Sequence, residues 1–167
     1  MKNIGIISLF LAIVVYSCGS VSFNMSGANF GAEKTCQVAY FENRAEKVNP
    51  RLAAQMTDAL KDKIQSNSPL KLVNSNADVM FEGEITGYSV QSGQITAQNV
   101  AAEDRLTVTV KVKYTNSLNS ENNYEKSFSR FQVFAGGTDL SSVENKLVDD
   151  ILLELMEDIY NEAFAQW

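Results

Sequence analysis

The sequence predicts an α+β domain: a two-layer sandwich with two amphipathic helices packed on one face of a mixed, mostly antiparallel sheet of four to five strands. Three observations lead there. Arg105–Thr115 alternates without a break, with Leu106, Val108, Val110, Val112 and Tyr114 set against Thr107, Thr109, Lys111, Lys113 and Thr115. That is the period of a strand with one buried face. Two other stretches, Leu52–Ile64 and Val143–Ala163, repeat their apolar residues at three- and four-residue spacing, as helices lying on a core do. The order strand, helix, returning strand in the first half suggests a right-handed crossover between two parallel strands, which makes the sheet mixed.

Taken in order, the chain opens with Lys2 and an uncharged apolar run, Ile4–Tyr16. As a helix its 13 residues reach roughly 20 Å, short of the about 30 Å of a bilayer core. This is the layout of a secretory signal peptide. Val15-Tyr16-Ser17-Cys18 resembles the lipobox of bacterial lipoproteins, with Val15 where leucine is more usual and Tyr16 where a small residue is. The resemblance implies cleavage after residue 17, a diacylglycerol on the Cys18 sulfur and often an acyl group on the new amine. One lipid chain binds a membrane marginally, whereas two or three, at about 0.8 kcal/mol per buried CH2, hold firmly. A plain signal peptide that happens to precede a cysteine is the alternative.

Residues 18–34 read as a tether rich in Gly, Ser and Asn. No charge occurs between Cys18 and Glu33, and the absence of an acidic sorting motif favours a domain facing the periplasm. The folded unit is expected over residues 35–167. Thr35–Glu42 is its first strand. Asn49 is read as an N-cap with Pro50 at the first helical position, and Asn67-Ser68-Pro69 ends the helix. Leu70–Val73 makes a short strand. Val79–Val90, Arg105–Thr115 and Tyr124–Phe134 form the β-rich centre, joined by a long connection, Gln91–Asp104, and a hairpin loop, Asn116–Asn123. Gly136-Gly137 closes the sheet, Ser141–Glu144 fits a capping box, and a helix follows to the C-terminus. Its outer face carries seven carboxylates against Lys146: a solvated surface, or a docking surface for a basic partner.

The composition excludes several chemistries. There is no histidine and, with Cys18 lipidated, Cys36 is the one remaining thiol, so Ser-His-Asp and Cys-His catalysis and typical zinc sites cannot be assembled. No phosphate loop or dinucleotide fingerprint occurs. No catalytic residue, metal or cofactor is expected. A formal net charge of −6 argues against nucleic acid as a partner. Glu82 and Glu84 stand two apart on one strand face, roughly 7 Å from each other, a spacing open to glycosidase chemistry or to simple pairing with Lys111 and Lys113. The outward sheet face is more informative. Thr107, Thr109, Lys111, Lys113 and Thr115 are joined there by Lys126 and Arg130, a basic, hydroxyl-bearing surface suited to the phosphate or carboxylate groups of an amphiphile. An ordinary solvated face is the alternative. Phe128, Phe131 and Phe134 interrupt the alternation of the last strand, so a bulge is expected there.

The segments Phe81–Val90, Arg105–Asn116, Ser127–Phe131, Leu140–Glu144 and Asp158–Trp167, in this order behind a lipobox, resemble the LptE family of lipopolysaccharide-assembly lipoproteins in its Bacteroidetes-type form. The resemblance implies a non-enzymatic outer-membrane lipoprotein, facing the periplasm, that plugs the LptD β-barrel, assists its assembly and contacts lipopolysaccharide in transit. Within that role, charge and alternation point Lys111, Lys113, Lys126 and Arg130 to lipid A phosphates and Thr107 and Thr109 to sugars. The competing reading is a periplasm-facing lipoprotein that binds another amphiphile or serves as an accessory to another partner.

Overall fold

The alternating segment becomes the centre of the sheet, hydrogen-bonded on both sides. A computed structural model describes residues 30–47, 49–93 and 103–165. The leader, Cys18 and residues 94–102 of the long connection lie outside the described residues, as does Trp167. The strands are β1 (Thr35–Val38), β2 (Glu42–Asn43), β3 (Lys71–Leu72), β4 (Val79–Gln91), β5 (Glu103–Asn116) and β6 (Tyr124–Ala135). Helix α1 (Leu52–Asn67) and helix α2 (Leu140–Phe164) complete the fold. The sheet order is β3-β1-β4-β5-β6, with β2 also on β4. β1 runs parallel to β3 and β4, and β4, β5 and β6 are antiparallel.

The α+β class and the mixed sheet are as expected, but the sheet has six strands because the first one breaks in two. Between the Val38–Phe81 and Glu42–Glu84 pairs, the β1–β2 side has one more residue than β4, so the chain leaves the ladder. Phe41 turns inward at this break and is fully buried. Its N–H, lost to the ladder, donates to Thr57 Oγ1 at 3.1 Å, and that hydroxyl donates onward to Ala53 O at 2.8 Å. A hydroxyl on α1 therefore satisfies a buried backbone donor of the sheet. Thr57→Val keeps the shape and orphans that donor, which costs about 1–3 kcal/mol. Urea unfolding is expected to show the lower midpoint with an unchanged slope.

Both helices lie on the face that carries Phe81, Ile85, Val108, Val110 and Val112. Leu52, Met56, Leu60 and Ile64 from α1 and Ile151, Leu155 and Ile159 from α2 are fully buried against them. At about 1.5–3 kcal/mol for each large apolar side chain, this layer dominates the stability. Cys36 belongs to the same core, and burial pushes its thiol pKa up to about 12, so it is a small hydrophobe and not a nucleophile.

Both predicted helix caps are corrected. Helix α1 begins at Leu52, two residues after the expected start at Pro50, with Arg51 in the cap position; Asn49 accepts the Arg51 N–H at 3.0 Å in the turn that precedes it. Helix α2 begins at Leu140, capped by Asp139, whose carboxylate takes the Ser141 N–H at 3.1 Å. Glu144 is free to reach across the layers, where it accepts from Asn49 Nδ2 at 3.1 Å and from the Tyr88 hydroxyl. The expected bulge in the last strand is also absent. β6 pairs with β5 without a shift, and the irregularity lies in β4 between Ile85 and Gly87.

Phe30–Lys34, assigned by sequence to the tether, are seated on the domain. Phe30 packs against Phe164 with centroids 5.1 Å apart. Asp78 accepts the Lys34 and Thr35 N–H groups at 2.8 and 2.9 Å. These bonds, the Lys34 N–H first, hold its carboxyl below the usual range.

Candidate functional site

Because both helices cover one side of the sheet, the other side is, among the described residues, its open face. Along β5 the outward residues run Lys113, Lys111, Thr109, Thr107, Arg105, and strict pairing extends each row sideways. Lys113 sits between Glu82 and Glu125, Lys111 between Glu84 and Ser127, Thr109 between Gly87 and Ser129, Thr107 between Ser89 and Phe131, and Arg105 between Gln91 and Val133. The face therefore has three zones: charged, hydroxyl-bearing and apolar.

The charged zone is an ion-pair mosaic. Lys113 Nζ lies 3.0 Å from Glu82, Lys111 contacts Glu125, and Arg44 bridges Glu42 at 2.8 Å and Glu84 at 3.1 Å. Glu125 raises the Lys111 pKa, and Lys111 lowers that of Glu125, each chiefly through their hydrogen bond. Exposed pairs of this kind exchange readily for a ligand's phosphate, since solvent already screens them. With Tyr40 as a wall they line an open groove of about 320 Å3. Glu82 and Glu84 are thus occupied with cations, but only Glu82 takes its expected partner, Lys113; Glu84 pairs with Arg44, because Lys111 turns to Glu125.

In the middle zone the Thr109 and Ser129 hydroxyls are 2.9 Å apart, and Thr107 follows one row on. At the far end Phe131 and Val133 are 48% and 43% exposed, and the Arg105 guanidinium stacks on Phe131 at 4.1 Å from its centroid. Among the described residues Arg105 has no carboxylate partner. Arg105 and Phe131 are two site residues that are not among those expected from the sequence. The signal was present, because carrying the β5 alternation through β6 puts Phe131 opposite Thr107.

Lys126 and Arg130 do not join this surface. They pair with Val112 and Val108, so they point to the helical side. Arg130 clamps Asp158 in two hydrogen bonds of 2.6 and 2.7 Å, and Lys126 reaches Glu162 at 2.6 Å. Asp158 raises the Arg130 pKa further. Their expected place on the outward face is corrected: the phase of β6 is fixed by Phe128, which is buried among the core residues. Among the described residues no helix is long and apolar enough to cross a membrane, and no cluster of His, Cys, Asp and Glu is arranged to hold a metal.

A family model described as "LptE: Lipopolysaccharide-assembly" matches residues 33–163, the whole folded body. The chain belongs to the LptE family. Membership gives the protein a role in lipopolysaccharide assembly, as an accessory and not as a member of a known enzyme family. No curated protein matches the chain. Among solved structures, a hypothetical protein from Chlamydia trachomatis is 12% identical, with a TM-score of 0.57, over 81% of this chain and 100% of that one. A protein from Xanthomonas campestris is 9% identical, with a TM-score of 0.54, over 80% and 87%. At these identities the likeness is one of fold alone.

Proposed function

We propose that this LptE-family protein works as an outer-membrane lipoprotein that plugs and assists an LptD-type β-barrel, with the open sheet face contacting lipopolysaccharide on its way to the outer leaflet. Residues 1–17 are then a cleaved leader, Cys18 carries the lipid, residues 18–34 link it to the body, and residues 35–167 face the periplasm. The observation that carries the reading is the order of zones along β5. Cations, hydroxyls and an apolar patch follow one another over about 27 Å, at about 3.4 Å per residue. An amphiphile with phosphates, sugars and acyl chains presents the same order. Lys111 and Lys113 meet phosphates, Thr107 and Thr109 meet sugars, and Arg105 with Phe131 flanks the acyl end. Lys126 and Arg130 contribute at the sheet edge by holding α2 in place, and they reach a phosphate only if their carboxylate partners release them.

The test is lipopolysaccharide binding by purified variants whose circular dichroism matches the parent. Lys111→Glu with Lys113→Glu is expected to weaken binding at least tenfold. Glu125→Gln, which frees Lys111, is expected to strengthen it. Unchanged binding in both would remove the charged zone from the mechanism.

A further inference from the structure

The opposite side of the molecule carries a second surface. Between the outer faces of α1 and α2 runs an open groove of about 780 Å3, too large for a single bound ion and wide enough for several side chains. Its floor includes Ala59, Leu152 and Met156. On its α2 wall stands Leu153, 71% exposed and the one large apolar residue on the carboxylate side of that helix. Asp149 and Glu157 lie one turn before and after it, on the same helix face.

The charges of the groove are uneven. Asp150 pairs with Lys146, Glu157 with Lys63, Asp158 with Arg130 and Glu162 with Lys126. Asp58, Asp62 and Asp149, which line the groove, have no ion-pair partner among the described residues. Lys63, the cation within it, is already committed to Glu157 and to the Tyr160 ring, 5.4 Å from its centroid. Three uncompensated carboxylates thus surround an apolar strip.

We propose that this groove docks a cationic amphipathic segment of a partner protein, with an apolar side chain beside Leu153 and Lys or Arg residues on Asp58, Asp62 and Asp149. Charge decides among the occupants. Lipopolysaccharide and anionic lipid are repelled by the rim. A second copy would bring the same acidic α2 face against it. The chain's own N-terminal stretch has no charged residue between Cys18 and Glu33 and supplies no cation. An amphipathic segment in a groove is a common mode of recognition, read by apolar anchors at helical spacing with flanking charge. Long-range attraction to the rim speeds the encounter and fades with salt.

The proposal goes beyond the reading of the sheet face, and its test is separable. The probe is a fluorescein-labelled 14-residue peptide of leucine and lysine in helical period, compared with a scrambled peptide of identical composition and with phosphatidylglycerol vesicles. Expected are binding at least tenfold tighter than that of the scrambled peptide, a tenfold loss in Leu153→Ser and in Asp62→Asn with Asp149→Asn, and no change in Lys111→Glu. All of these positions are at the surface, so the variants retain the fold. In cells, a photo-crosslinker at residue 153 is expected to join a protein segment in which basic residues flank an apolar one. Equal binding of the scrambled peptide, indifference to the groove variants, preference for the vesicles, or an adduct absent or formed with lipopolysaccharide, an acidic segment or a second copy would overturn the proposal.

Discussion

Gly83→Ala is expected to destabilise the domain by about 3 kcal/mol, the upper end of what overpacking usually costs. Gly83 faces the core opposite Val112, directly beneath the Phe41 ring. A Cβ there would stand 2.3 Å from Phe41 Cε1 and 2.8 Å from the Lys111 carbonyl oxygen. Neither neighbour yields easily. The carbonyl belongs to the β5 backbone, and Phe41 is fully buried with its N–H held by Thr57. Urea unfolding of the variant should show the loss, and Phe41→Leu in the same chain should recover about half of it. Phe41→Leu alone should cost about 1 kcal/mol, so the two changes are non-additive, as expected for side chains in contact. An additive pair would mean that the ring does not sit over the glycine.

Phe164→Ala is expected to cost about 4 kcal/mol, within the range for deleting a buried aromatic. The ring lies near the end of α2 and meets Phe30 at 5.1 Å, Tyr160 at 5.1 Å, and Phe81 and Tyr114 at 6.0 Å each. Edge-to-face and tilted pairs at these separations add to the burial energy. Phe164 is also what the incoming chain packs on, so the variant should raise hydrogen exchange in residues 30–35 more than in β5. Uniform exchange across both would place the loss in the core at large and not at this junction.

Much of the fold was legible because binary patterning is strong where one face is buried. The five inward residues of β5 and the stripes of both helices lie where their period puts them. What escaped the sequence depends on tertiary competition. The first strand breaks because Phe41 prefers the space over Gly83 to its place in the ladder. Glu144 leaves the capping box because Tyr88 and Asn49 offer it partners from other elements, and the aspartate before the helix caps it instead. The site was half legible for a similar reason. Lys111, Lys113, Thr107 and Thr109 follow from alternation alone, but the phase of β6 turns on which of three phenylalanines enters the core. Phe128 does so, which sends Lys126 and Arg130 to α2 and Phe131 outward beside Arg105.

The carboxylates of α2 divide along the same line. Asp158 and Glu162 tie the helix to β6, and Glu157 ties it to α1. A run that reads as one acidic face in sequence is, in the fold, partly internal clamp and partly open rim. The two exposed surfaces therefore differ in character, the zoned sheet carrying cations paired with carboxylates and the helical groove carrying unpaired carboxylates, and they suit different partners.

On the proposed function, the open sheet face serves an LptD-type barrel and its lipopolysaccharide. The most direct test is to solubilise outer membranes containing a tagged full-length chain in mild detergent and isolate what remains bound, with a photo-crosslinker at Phe131 marking the sheet face. Stoichiometric recovery of a large β-barrel, with crosslinks from residue 131 to lipopolysaccharide or to that barrel, is the predicted result. Recovery of the chain alone, with no barrel and no crosslink from the sheet face, would contradict it.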